Sequence, residues 1–277
     1  MHRIVVSTLV LGLLTILPFG AGNVWAGDCG GAGPACVCGD TVTQDHTLPP
    51  LTCNGDGLIV DVGIILDLGG NDLTGTDQKG TGVKLRDGAH VLNGRILNFD
   101  IGIGQDGAID SCFIGTDTTG LVVTINHTGI ELEANGCTIV KTGVVANVSD
   151  GVSLKGDDNA LTQNTCSRNG GDGISIEGDH NTLTSNRCEL NRGHGIAVTG
   201  DVNTLERNLG GRNDGSGILV DGSENVFKRN QGRTNDGDGV RGTGTDLATD
   251  GRNYGIGNGG VNCEIDGHDS TGGGKYC

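Results

Sequence analysis

Gly-Ile or Gly-Val pairs begin at Gly129, Gly151, Gly173, Gly195, Gly217 and Gly239, 22 residues apart each time and without insertion. Each start is counted here as position zero. Position one is then Ile130, Val152, Ile174, Ile196, Ile218 and Val240, and position three is Leu132, Leu154, Ile176, Val198 and Val220, then Gly242. Position five is glycine from Gly156 to Gly244. Asparagine recurs at position eight (Asn159 to Asn225), position thirteen (Asn164 to Asn230) and position eighteen (Asn147 to Asn235). Position ten is Ile139, Leu161, Leu183, Leu205 and Phe227.

A unit of this kind holds three short alternating stretches separated by Gly, Asn and Asp turns, and period-two alternation means strands. One unit is too small to bury its own apolar face, so units must stack. Three strands per turn, stacked in register, give an all-β parallel β-helix with like residues about 4.8 Å apart along its axis. Branched aliphatics fill the bore, and asparagines pair between coils and tolerate left-handed corners. The 54 glycines argue against long helices and suit corners that need positive φ. Upstream, Leu58-Ile59-Val60, Ile64 to Leu68, Val83 to Leu85, Val91-Leu92 and Leu121 to Val123 read as further strands. Residues 58–260 leave room for roughly nine coils. A Cys-rich N-terminal segment, 27–57, and a C-terminal one, 261–277, are placed to cap the exposed strand edges.

Arg3, the apolar run Ile4 to Leu17, Pro18 and the small-residue ending at Ala26 read as a secretory signal peptide over residues 1–26. No second long apolar stretch follows, so no membrane span is expected in the mature chain. Cleavage would leave the remainder one unit more negative than the −16 of the whole chain. It would also leave five aromatics: Phe99, Phe113, Phe227, Tyr254 and Tyr276. So acidic and aromatic-poor a surface argues against nucleic acid as a partner. All ten cysteines follow residue 26, which reads as a disulfide set in a secreted or periplasmic protein. Cys166 and Cys188 share position fifteen of adjacent coils and could be either a disulfide or a buried thiol stack.

The repeat resembles the right-handed parallel β-helix repeats of the pectate-lyase-like superfold. The opening Cys38-Gly39-Asp40-Thr41-Val42, Cys53 and the run Leu66-Asp67-Leu68-Gly69-Gly70-Asn71-Asp72-Leu73-Thr74-Gly75 resemble a group of secreted bacterial β-helix proteins. The resemblance implies the fold. It leaves function open, because the superfold hosts lyases, hydrolases, epimerases and members without known activity. It also implies that catalytic groups, where present, sit on the outer face of the first strand of each coil.

On that face, position four carries Glu133, Lys155 and Glu177. A lysine between two carboxylates suits proton abstraction beside a sugar carboxylate, but the pattern reads first as a surface charge ladder. His194 joins these candidates through Gly193-His194-Gly195 and Asp157-Asp158, which echo polygalacturonase motifs. However, 36 residues, more than one coil, separate Asp158 from His194. Position six stacks Asp157, Asp179 and Asp201, whose mutual repulsion calls for solvent, a nearby cation or calcium.

Two function classes follow. One is an exported β-helix protein of binding or structural type that engages extracellular polysaccharide or cell-surface glycan. The alternative is a polysaccharide lyase, epimerase or hydrolase working on the first-strand face. Coils without insertions and a shortage of sugar-stacking aromatics favour the first.

Overall fold

The repeat positions map directly onto strands. In the unit 151–172 these are Val152–Lys155, Ala160–Thr162 and Thr165–Ser167, and in the next unit Ile174–Glu177, Thr182–Thr184 and Arg187–Glu189. Each pairs in parallel with its counterpart one coil on: Val152 with Ile174, Ala160 with Thr182, Thr165 with Arg187. The structure is a computed structural model and describes residues 27–107, 110–115, 120–266 and 276–277. Residues 1–26, read above as a signal peptide, lie outside the described residues.

Stacking produces three parallel sheets, the first of 12 strands and the other two of ten each. The chain is therefore a right-handed parallel β-solenoid of about ten turns, against the roughly nine that the strand runs after residue 58 allowed. The additional turn comes from Thr41–Val42, His46–Thr47 and Leu51–Cys53, which join the three sheets ahead of Leu58–Val60. The Asp40 carboxylate accepts the N–H groups of Gly27 and Val37, both at 2.8 Å, and so holds this first turn closed. At the other end Cys263–Ile265 is the last strand of the first sheet. The Cys263–Cys277 disulfide then returns the terminus to Asn253, with Cys277 N–H donating to the Asn253 carbonyl at 3.1 Å.

The bore is filled by positions one, three, ten and fifteen, all buried from Ile130 through Val240. Position fifteen shrinks along the axis from Val144 through Cys166 and Cys188 to Gly210 and Gly232. A Cβ on Gly210 would run into the backbone of Gly217, so the third strand there touches, main chain to main chain, the bend that leads into the next first strand. Elsewhere loss and gain of volume are matched. Position three becomes Gly242 where position ten becomes Phe227, and a Cβ on Gly242 would lie 2.7 Å from the Phe227 ring. Close packing of this kind is what a solenoid core requires.

Asparagines close the corners. In the ladders at positions thirteen and eighteen, the Oδ1 of one asparagine accepts both the backbone N–H and the side-chain amide of the asparagine one coil earlier; at position eight, Asn203 and Asn225 accept the backbone N–H alone. For Asn186 and Asn208 these bonds are 2.9 and 3.0 Å. The Nδ2 of Asn208 also donates to the Leu183 carbonyl at 2.8 Å. Two details differ from the sequence expectation. The left-handed residue is the one before each asparagine, whatever its side chain: His180 (φ 57°), Leu190 (φ 63°), Val202 (φ 59°). The position-zero glycines are not left-handed at all. They are glycines because the next coil lies against them, and a Cβ on Gly173 would sit 2.5 Å from the Gly195 carbonyl oxygen. Position five does need positive φ, as at Gly178 (φ 154°).

Four disulfides form, Cys29–Cys36, Cys38–Cys53, Cys112–Cys137 and Cys263–Cys277. Cys137 stands at position eight, where later coils carry asparagine, and its N–H feeds the first rung of that ladder, Asn159 Oδ1, at 2.8 Å. Cys166 and Cys188 are register partners but remain buried free thiols.

Candidate functional site

On the first sheet, positions one and three point into the bore and positions two and four point out, as in Val152–Lys155. Register brings Glu133 beside Lys155 and Lys155 beside Glu177. Lys155 Nζ meets Glu177 Oε2 at 3.3 Å, with the two side chains 55% and 62% exposed. An ion pair so open to water contributes a few tenths to about 1 kcal/mol. Glu133 lines a shallow depression of about 190 Å³ with Thr81, Ile101, Gln105 and Glu131, and neither Lys155 nor Glu177 reaches it.

His194 stands apart from this column. It occupies position minus one, five residues from position four, or roughly 16 Å along a strand. Its backbone N–H donates to Asp172 Oδ1 at 2.5 Å, and its Nδ1 accepts the Ser216 N–H at 2.9 Å. The same relay runs through the whole position: Asp150 accepts from Asp172 at 2.7 Å, and Asp238 accepts from Val261 at 2.8 Å. His194 is one rung of a side-chain-to-backbone ladder. Burial pushes the Asp172 carboxyl above its usual range; the Asp150 charge adds to this, and the bond from His194 opposes it.

Position six is built the same way. Asp157 Oδ1 accepts the Asp179 N–H at 2.8 Å, Asp179 accepts from Asp201 at 2.7 Å, and Asp201 accepts from Ser223 at 2.7 Å. Backbone N–H groups therefore supply the partners that the stacked carboxylates call for. Among the described residues no group of three or more His, Cys, Asp or Glu side chains is placed to hold a metal ion.

One cluster carries no repeat signal. The chain's two tyrosines, Tyr254 and Tyr276, form a bridge at the end of the third sheet, with ring centroids 5.1 Å apart and planes inclined by 53°. The Arg233 guanidinium lies over the Tyr254 ring at 5.6 Å. With Gln231, Arg252 and Ile256 they line a depression of about 480 Å³. Tyr276 lies past the last coil, so no period connected it with Tyr254. The Cys263–Cys277 disulfide is what brings it there.

The profile of the family described as the right handed beta helix region matches residues 123–272, more than half of the chain. No curated protein matches it. Among solved structures, the Dettilon tailspike protein is similar at a TM-score of 0.43 and 14% identity, over 78% of this chain and 62% of the tailspike chain. This chain thus spans less than two thirds of that protein.

Proposed function

This chain belongs to the right-handed β-helix family, and from that premise we propose that it is an exported, non-catalytic binding protein whose rod engages extracellular polysaccharide. The uninterrupted 22-residue register from Gly129 to Gly239 carries the reading. Such a register presents outward side chains at a fixed spacing, coil after coil. A polymer of repeating sugars can meet many of them at once, and weak contacts made together gain by effective concentration. The four disulfides fit an oxidising compartment.

The exposed Lys155–Glu177 pair supports a second reading, a lyase whose lysine takes the proton beside a sugar carboxylate. One experiment separates the two. The purified protein is incubated with a panel of acidic and neutral polysaccharides, and both retention and chain length are followed. Retention with unchanged chain length is expected. Cleavage that disappears in Lys155→Ala would replace binding with catalysis, and retention by no polysaccharide would sink both.

A further inference from the structure

The geometry points to a polyanionic polysaccharide, a carboxylated or sulfated sugar polymer, as the ligand, and to the third-sheet side of the rod as its seat. This rests on the polysaccharide-binding reading above and gives it a face and a chemistry.

The net charge of −16 conceals a segregation. Positions one to seven, the first strand and the corner after it, carry most of the stacked acids, among them Glu133, Asp157, Glu177, Asp179, Asp201 and Asp221. Positions twelve to seventeen, the third strand with the corner residue on each side, carry a lysine or arginine in each of six successive coils, from Lys141 to Arg252, and one acid, Glu189. Some of these cations are already occupied. Arg187 pairs with Glu189 at 2.5 Å, Arg207 with Glu206 at 2.5 Å and Arg229 with Asp250 at 3.5 Å. Arg168, Arg212, Arg233 and Arg252 are exposed, and among the described residues none has a carboxylate within 4.0 Å.

Arg168, Arg233 and Arg252 flank two depressions. One, of about 480 Å³, joins Arg168 and Arg192 to the apolar side chains of Val148 and Leu190. The other, also about 480 Å³, joins Arg233 and Arg252 to the tyrosine pair. Arg168 and Arg233 are three coils apart, roughly 14 Å at the strand spacing, and Arg212 lies in the coil directly before that of Arg233. A planar guanidinium binds a carboxylate or sulfate through two parallel hydrogen bonds, while the tyrosine faces and Leu190 receive the C–H faces of the sugar rings. Arg233 is held in place by its stacking on Tyr254.

At physiological salt, screening over about 8 Å confines the repulsion of the acidic columns to their own side of the coil, where it keeps the polymer off the first sheet. A nucleic acid fits less well. The two rings are packed on each other and form one platform, with no succession of faces for bases.

The test is calorimetric titration of the full chain with heparin, polygalacturonate, neutral dextran and single-stranded DNA, at two salt concentrations. Salt-sensitive binding of heparin or polygalacturonate is expected. The double substitution Arg233→Ala/Arg252→Ala, and separately Tyr276→Ala, should weaken it at least about tenfold. Lys84→Ala, a cation removed from the first sheet, should leave it unchanged, and circular dichroism melts should show that every variant is folded. Undiminished binding by both site variants, an equal loss in Lys84→Ala, or DNA binding as tight as the best glycan would each overturn the proposal. Binding to dextran alone would overturn it while leaving the broader polysaccharide-binding role standing. Binding to no polysaccharide would end both.

Discussion

The side-chain amide of Asn169 donates to Asn191 Oδ1 at 3.1 Å, and the same oxygen accepts the backbone N–H of Asn169 at 3.0 Å. Asn191 Nδ2 in turn serves the Cys166 carbonyl at 3.1 Å and Asn213 Oδ1 at 3.0 Å. One buried side chain thus satisfies polar groups in the coil before it and the coil after it. Asn191→Ala strands several of them, each at about 1–3 kcal/mol. We expect a loss of at least about 3 kcal/mol in urea unfolding. Asn258→Ala, at the partly buried end of the same ladder, should cost about 1 kcal/mol. Equal losses at the two positions would show that the ladder is not what holds the middle coils.

Two glycines separate conformational from steric need. Gly63 is left-handed (φ 67°) with open space around its would-be Cβ, whereas Gly173 has ordinary φ but faces the Gly195 carbonyl. Gly63→Ala should cost about 1–2 kcal/mol through backbone strain alone. Gly173→Ala must push two coils apart and should cost more, about 3 kcal/mol. Thermal melts of the two variants would check the order, and the reverse order would contradict the packing described.

Asp172 makes stability depend on pH. Its carboxyl is raised, first by burial, so the folded chain holds that proton more tightly than the unfolded chain does. Stability from this group is therefore present at low pH and falls as pH rises from the ordinary carboxylate range through the raised folded value. Asp172→Asn keeps an oxygen for the His194 N–H and removes the charge. The variant should melt higher than wild type at pH 7, with the difference closing as pH falls through the carboxylate range. A difference independent of pH would refute the assignment.

The aspartates of position six have backbone partners, so chelation should not matter. Melting with EDTA and with added calcium should coincide, since a ligand held only by the folded state must raise its stability. A calcium-dependent rise that vanished in Asp179→Asn would put an ion on that column.

Cys166 and Cys188 should resist modification. Both are buried, and burial drives the Cys188 thiol well above its usual range, leaving little thiolate to react. Ellman's reagent should detect both thiols in denaturant and neither in buffer. Rapid reaction in buffer would mean that the bore opens near these coils.

The strands, the bore columns and the asparagine ladders could be read in the sequence because each depends on one residue type recurring at one position. Where the physical reason lay between coils, reading failed. Gly173 looked like a corner residue, yet its constraint comes from Gly195, 22 residues on. The sequence did not show what His194 holds together: Asp150, Asp172, Ser216 and Asp238 serve the same position in the same way, and the shared property is only an acceptor atom. Tyr276 could not be placed because a disulfide, not a period, carries it to Tyr254.

From Asn159 to Asn213 each asparagine rung accepts from the coil before it and donates its backbone N–H to an asparagine Oδ1 in the coil after it. A copy of residues 151–172 inserted after residue 172 would therefore meet matching donors, acceptors and bore contacts on both sides. Gene duplication or slippage by whole units could lengthen or shorten such a rod without inventing a new contact. Length, and with it the number of arginines offered along one side, is then a quantity that heredity can adjust in steps of one coil while the architecture stays fixed.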